Sequence, residues 1–306
     1  MPSTFKGRDV ISISEFTKPD ILAVLKKAAQ LKKQPQPKLL EGYVLGSCFF
    51  EPSTRTRLSF ETAMQRLGGR VVGFADPSVT STKKGETLYD SIRIVSQYTD
   101  VIAMRHPLDG AARRATEASD KPIINGGDGA NQHPTQTLLD LFTIQETQKK
   151  LENLSIAFVG DLKYGRTVHS LAQALTHFNA RIYCVAPKNL QMPDYILDEL
   201  KANKIKFSLH EKMSDILPKV DILYLTRIQE ERFPDRMEYE QVKNIYRLTA
   251  QDLHGIKKNL RILHPLPRVN ELATDVDASP HAYYFEQAHN GLYVREAVLA
   301  MVLGKL

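Results

Sequence analysis

Val44-Leu45-Gly46-Ser47-Cys48-Phe49-Phe50-Glu51-Pro52-Ser53-Thr54-Arg55-Thr56-Arg57 is the stretch from which the architecture can be read. The apolar run Val44 to Phe50 predicts a buried strand, and Pro52 stops it. From Ser53 the pattern changes period. Phe60, Ala63, Met64 and Leu67 recur at i, i+3, i+4 and i+7, one face of a helix, and Gly68-Gly69 closes it. A buried strand feeding directly into a helix is half of a βαβ unit, the building block of parallel sheets.

The same alternation continues outward in both directions. Val71 to Phe74 is the next predicted strand, followed by a helix over Thr87 to Tyr98 with Leu88, Ile92 and Val95 on one face. Val101 to Met104 and Pro122 to Asn125 are further strands, separated by the Ala-rich stretch Gly110 to Ala118. A long helix is expected from Pro134 to Lys149, with Leu138, Leu141, Phe142 and Gln145 in register. The second half repeats the theme with strands at Ile156–Val159, Ile182–Ala186, Phe207–Leu209, Ile222–Thr226 and Arg261–His264. A helix over Val168 to Phe178 buries Leu171, Ala172 and Leu175, and Leu292 to Leu303 reads as a terminal docked helix. The fold class is therefore α/β: two doubly wound parallel-sheet domains, with ligands expected outside the carboxyl ends of the strands. The polar stretch Lys149 to Leu154 marks the boundary between the two blocks.

Composition bounds the function. The 306 residues suffice for two domains, and 42% hydrophobic with 25% charged residues is the balance of a soluble globular chain. Cys48 and Cys184 cannot form a disulfide framework, and each lies in an apolar run, so buried reduced thiols are expected. No run reaches the length of a membrane span, which makes the cytoplasm the expected compartment. The net charge of +6 comes from 41 Lys+Arg against 35 Asp+Glu. The basic pairs are scattered and Trp is absent, which fits small anionic substrates better than nucleic acid.

Three motifs carry chemistry. In Ser53-Thr54-Arg55-Thr56-Arg57 the free N–H groups of a helix start are joined by hydroxyls and guanidinium groups, all donors to an anion. An ordinary cap with a solvated basic turn would explain some of these residues, but the alternation of hydroxyls with arginines favours phosphate. Asn125-Gly126-Gly127-Asp128-Gly129 is expected to follow a strand, its glycines admitting a ligand to the backbone, before Gln132-His133-Pro134-Thr135-Gln136 opens a helix. There His133 is a cap, a packing residue or a ligand contact, and Gln136 lies in the same first turn. Gly160-Asp161-Leu162-Lys163-Tyr164-Gly165-Arg166-Thr167 approaches the nucleotide loop G-x-x-x-x-G-K-[ST], but Arg166 replaces the lysine, and the two side chains are not interchangeable in that cradle. An arginine at a helix start aimed at a substrate carboxylate is the preferred reading. Arg105-His106-Pro107, Thr226-Arg227-Ile228-Gln229 and His264-Pro265-Leu266-Pro267-Arg268 each close a strand; the last forms a rigid loop, with a cis bond as one option. Ser81-Thr82-Lys83-Lys84-Gly85-Glu86 reads alone as a solvated basic loop.

Together these segments resemble the aspartate carbamoyltransferase family, from Lys6 to Leu303. The Ser-Thr-Arg-Thr-Arg run is shared by carbamoyltransferases generally, whereas the Lys83, Gly160, Thr226 and His264 segments are the aspartate-specific ones. Ornithine enzymes carry His-Cys-Leu-Pro where this chain has His264-Pro265-Leu266-Pro267, and use a Ser-Met-Gly loop not found here. Gly126 and Asn270 depart from the family pattern, standing where many members have alanine and aspartate.

The resemblance implies carbamoyl transfer from carbamoyl phosphate to L-aspartate, a step of de novo pyrimidine biosynthesis, without metal or cofactor. Residues 1–150, joined by a C-terminal helix 288–306, are expected to bind carbamoyl phosphate, residues 151–287 to bind aspartate, and the active site to lie in a cleft between them. Ser53, Thr54, Arg55, Thr56 and Arg105 would hold the phosphate. Thr56, Arg105 and His133 would face the carbonyl oxygen, while Gln136 and the carbonyls of Leu266 and Pro267 would face the amide. Arg166, Arg227 and Gln229 would hold the aspartate carboxylates. Ser81 and Lys84 resemble loop residues donated by a neighbouring subunit, Lys84 reaching both substrates, which implies a homotrimer with shared sites. Arg55, Thr56, Lys84, Arg105, His133 and Gln136 would act in catalysis. A separate regulatory chain is a further possible partner; nucleic acid and membrane are not expected.

Overall fold

The computed structural model describes residues 4–230, 233 and 235–306. Residues 1–3, the start of the expected first domain, lie outside the described residues. The chain divides into two compact units: the residues up to Phe142 together with His289–Leu306, and Thr143–Ala288.

In the first unit, β1 (Val44–Phe49), β2 (Arg70–Phe74), β3 (Val101–His106) and β4 (Ile123–Asp128) form a sheet in the order β2-β1-β3-β4, with every pairing parallel. The helices are α1 (Lys18–Lys33), α2 (Thr54–Arg66), α3 (Leu88–Tyr98), α4 (Ala111–Thr116) and α5 (Pro134–Gln148). Phe60, Ala63, Met64 and Leu67 are all buried, as their helical spacing predicts. α1 is absent from the expectations above, although Thr17 and Asp20 cap it reciprocally and Pro19 sits in its first turn. The strand β4 runs through Gly126, Gly127 and Asp128, so these glycines lie within a strand and do not follow one. A Cβ at Gly126 would press on the Met104 carbonyl (3.0 Å) and the Thr56 methyl (3.3 Å), which accounts for a glycine in this buried strand end.

In the second unit, β5 (Ser155–Val159), β6 (Arg181–Val185), β7 (Phe207–His210), β8 (Ile222–Leu225) and β9 (Arg261–Leu263) take the order β7-β6-β5-β8-β9, again all parallel. Its helices are α6 (Arg166–Leu175), α7 (Asp194–Ala202) and α8 (Arg236–Val242). Tyr183, Val185, Leu223, Leu225 and Ile262 pack with Leu248, Leu272 and Tyr284 in a core on one face of the sheet. α6 starts at Arg166, two residues before the predicted start, which places Arg166 in its first turn. The terminal helix α9 (Tyr284–Val302) starts eight residues before the apolar run that announced it.

Both thiols are buried, and burial pushes each up to about 12, so neither is a thiolate at neutral pH. Among the described residues no helix is long and apolar enough to cross a membrane.

The strand orders fix where ligands can bind. In the first sheet the chain goes from β1 to β2 on one side and then to β3 on the other. In the second, β6 and β7 lie to one side of β5, and β8 and β9 to the other. Each sheet therefore has a topological switch point, between β1 and β3 and between β5 and β8, where the connecting loops part and leave a crevice. At the second switch point Gly160 ends β5 at φ +121, where a Cβ would collide with the Thr226 carbonyl. Gly160→Ala is expected to destabilise the protein by about 1–3 kcal/mol, read as a lower urea midpoint at unchanged slope. An unchanged midpoint would show that the strand end tolerates a side chain.

Candidate active site

At the first switch point, β1 hands its chain to the N-terminus of α2. Ser53 holds the cap position with extended backbone, but its side chain makes no capping hydrogen bond. Thr54, Arg55 and Thr56 are the first residues of α2, Arg55 exposed and Thr56 buried. Thr56 Oγ1 lies 3.5 Å from His133 Nε2, at the residue preceding α5. Arg105, near the end of β3, pairs through its Nε with Glu51 Oε2 at 2.9 Å and donates from Nη1 to the Gly126 carbonyl at 3.3 Å. Gly126 in turn lies against Thr56. Thr56, Arg105 and His133 thus converge from three segments, at the starts of α2 and α5. Gln136 is nearly buried one turn into α5.

Buried carboxylate chemistry frames this cluster. Asp128, 1% exposed at the end of β4, accepts from Asn125 Nδ2 (2.8 Å), Gly110 N (2.9 Å) and Gln132 N (3.1 Å). It fixes the turn that delivers His133 to its position.

The second unit builds its candidate site in the same way. Asp161, fully buried just after β5, accepts from Tyr164 N at 2.9 Å and Gln229 N at 3.4 Å. Gln229 Nε2 also donates to the Tyr164 carbonyl at 3.2 Å. These bonds tie the loop after β5 to the loop after β8, and so bring Arg166, Arg227 and Gln229 into one neighbourhood. Burial raises the Asp161 carboxyl above its ordinary value, against the opposing backbone N–H groups and the charge of Arg227.

The third strand end of this unit carries Leu266 and Pro267, joined by a cis peptide bond. Leu266 sits at φ +55, and its N–H donates to His264 Nδ1 at 2.8 Å. His264 Nε2 meets Glu271 Oε1 at 2.8 Å. Because Nδ1 accepts, the proton of a neutral ring belongs on Nε2, which donates to the carboxylate. The Leu266 carbonyl is thereby oriented by a buried His–Glu pair.

Ser81 and Lys84 lie in an exposed single turn, Ser81–Lys84. Among the described residues no hydrogen bond or ion pair joins them to the other candidate site residues. The sequence reading gave no role to Glu51, Asp161 or Glu271. The first two lie inside motifs already singled out, and a carboxylate beside an arginine-rich or glycine-rich turn was the available signal.

The comparisons with known proteins follow this geometry. Residues 8–146 match the family model "Aspartate/ornithine carbamoyltransferase, carbamoyl-P binding domain", and residues 152–302 match "Aspartate/ornithine carbamoyltransferase, Asp/Orn binding domain". The chain belongs to the aspartate/ornithine carbamoyltransferase family. Within it, the chain is 58% identical over 308 aligned residues to the aspartate carbamoyltransferase catalytic subunit of Vibrio vulnificus (strain YJ016), covering 100% of this chain and 99% of the relative. It is 57% identical over 298 residues to that of Chromobacterium violaceum, covering 97% and 98%. Among solved structures it resembles the catalytic subunit of M. jannaschii aspartate transcarbamoylase (TM-score 0.90, 51% identity, 97% and 98% covered). It also resembles the Trypanosoma cruzi aspartate transcarbamoylase bound to carbamoyl phosphate and aspartate (TM-score 0.93, 38% identity, 99% of each chain covered).

A pH effect follows from Glu271. Burial alone would raise its carboxyl, but the hydrogen bond and charge of His264, with backbone N–H groups, hold it below the usual carboxylate range. A lowered pKa contributes stability that is present above the unfolded value and is lost as pH falls through the folded one. Glu271→Gln is therefore expected to lose stability at neutral pH and to show a shallower acid-side decline than the unsubstituted protein. Urea midpoints between pH 7 and pH 3 measure this; parallel curves would contradict the assignment.

Proposed function

We propose that the chain carries out the reaction of its family on aspartate, transferring the carbamoyl group of carbamoyl phosphate to the amine of L-aspartate. The products are N-carbamoyl-L-aspartate and phosphate, and the step belongs to de novo pyrimidine biosynthesis. The observation that carries the reading is the convergence of Thr56, Arg105 and His133 on two helix starts at the switch point of a parallel sheet. Such a place offers donors to a phosphate and to an oxygen that gains charge.

In this reading Ser53, Thr54, Arg55, Thr56 and Arg105 hold the phosphate. Thr56, Arg105 and His133 donate to the carbonyl oxygen as the amine attacks, and Gln136 with the Leu266 and Pro267 carbonyls takes the amide. Arg166, Arg227 and Gln229 bind the two carboxylates of aspartate. Negative charge grows on the carbonyl oxygen before phosphate departs, and each fixed donor aimed at it is worth roughly 3–4 kcal/mol in comparable sites. Holding amine and carbonyl in line supplies about 7–11 kcal/mol more. Aspartate brings its own nucleophile, and the departing phosphate can take the proton. No cofactor is invoked, and no strongly tuned protein base is required. The arginines of the second unit suit a dicarboxylic amino acid and suit the cationic side chain of ornithine poorly.

Ser81 and Lys84, exposed in this chain, fit donation to the site of a neighbouring subunit. That reading makes the working unit a homotrimer with shared sites, in the cytoplasm, open to a separate regulatory chain. Sedimentation of the pure chain tests the assembly.

The activity test is a colorimetric assay for carbamoyl aspartate, with ornithine offered in parallel; carbamoyl transfer to ornithine alone would overturn the assignment. Arg166→Ala is expected to raise KM for aspartate about 10- to 100-fold, the loss of a charge-assisted pair, with KM for carbamoyl phosphate little changed. His133→Asn is expected to retain a reduced rate with an unaltered pH profile. Complete loss of rate at every pH with substrates still bound would make His133 the essential base instead of a donor.

A further inference from the structure

Helix α9 carries two charged residues into the interior of the first unit, Arg295 at 3% and Glu296 at 2% exposure. Glu296 is paired with Arg66 Nε at 2.8 Å. Arg295 lies over the Phe60 ring, 5.0 Å from its centroid, and Arg295 Nη2 donates to Thr135 Oγ1 at 3.4 Å. Burial lowers the pKa of its guanidinium and the charge of Asp140 opposes that shift, so the two groups sense each other. An arginine stays charged at neutral pH even so. Asp140 is fully buried on α5, and one turn earlier Gln136 Nε2 donates to Asp140 Oδ1 at 2.9 Å.

The consequence lies in the chemistry of an amide. Gln136 Nε2 faces Asp140 Oδ1, and an ionised carboxylate has only acceptor oxygens. Gln136 must therefore turn its NH2 toward Asp140, which leaves its carbonyl oxygen on the other branch. The two branches of a glutamine amide are nearly the same size, so without Asp140 either orientation fits equally well. An outward oxygen accepts an N–H from a carbamoyl group; an outward NH2 would repel it. A methyl in place of the carbamoyl NH2 offers nothing to that oxygen and leaves a nearly buried acceptor without a partner.

We propose that Asp140 is a positioning residue for substrate selection: it fixes the Gln136 amide with its oxygen outward, so that the site favours carbamoyl phosphate over the methyl analogue acetyl phosphate. This rests on the assignment of Gln136 to the carbamoyl amide, and it locates the discrimination one residue behind the contact.

The test compares kcat/KM for carbamoyl phosphate with that for acetyl phosphate, aspartate being the acceptor in both. The ratio is insensitive to a loss of folded protein, since both substrates use the same active population. Asp140→Asn, which can hold the amide either way round, is expected to lower the ratio about five- to tenfold, the worth of one hydrogen bond. Gln136→Leu is expected to lower it at least as much. If Gln136→Leu leaves the ratio unchanged, the assignment of Gln136 fails and the proposal with it. If Gln136→Leu lowers the ratio and Asp140→Asn does not, only the positioning role is overturned. Neutron diffraction from the unsubstituted protein reads the same point without a variant. Deuterium on the Gln136 atom facing Asp140 is expected, and oxygen in that place overturns the proposal.

Discussion

Parallel strands end with loops whose backbone N–H groups have no partner in the sheet, and a loop that must hold a ligand cannot bury them unpaired. In both units a fully or almost fully buried aspartate takes up these groups. Asp128 gathers Gly110 N, Gln132 N and the Asn125 amide around the end of β4. Asp161 gathers Tyr164 N and Gln229 N between the ends of β5 and β8. Neither aspartate is assigned a contact to substrate. Each nevertheless determines where the assigned residues stand, because the turns that deliver His133, Arg166 and Gln229 hang from those carboxylates.

At the first switch point Glu51 and Arg105 form a partly buried pair. The second unit follows a different course. Its buried carboxylate, Asp161, accepts from the backbone N–H groups of Tyr164 and Gln229.

Much of the fold was legible because its signals are local. The apolar run Val44 to Phe50 followed by the helical spacing of Phe60, Ala63, Met64 and Leu67 needs no distant partner to be understood. The strand-to-helix turns at Ser53 and Gly160 were legible for the same reason: strand end, turn and helix start are contiguous in the chain. What escaped was long-range or buried polarity. Gly126 and Gly127 read as a loop because glycine disfavours strands, yet both lie in β4, where a Cβ at Gly126 would press on the Met104 carbonyl and the Thr56 methyl. In α9 the apolar run from Leu292 predicted a docked helix but could not reveal that Arg295 and Glu296 are on its buried side. A window along the sequence reads such charges as solvated, since their partners, Arg66, Thr135 and Asp140, lie far away in the chain. α1 is a plainer miss, as Thr17, Pro19 and Asp20 spelled out its start.

The position of α9 has a consequence for how the first site comes to exist. Lys32 binds Asn290 at 2.9 Å, Arg66 binds Glu296 at 2.8 Å, and Gly7 N donates to the Val302 carbonyl at 2.9 Å, so from His289 onward the last helix belongs to the first unit. Asp140 and Arg295 are each costly to bury alone, and burial is tolerable only when both are present. During synthesis the segment that carries Thr56, His133 and Gln136 is complete long before Arg295 emerges. Until it does, the contacts that Arg295 makes with Phe60 and Thr135 are missing from the first unit. The first unit is continuous in space but not in sequence, and the geometry of its site is closed by the end of the chain.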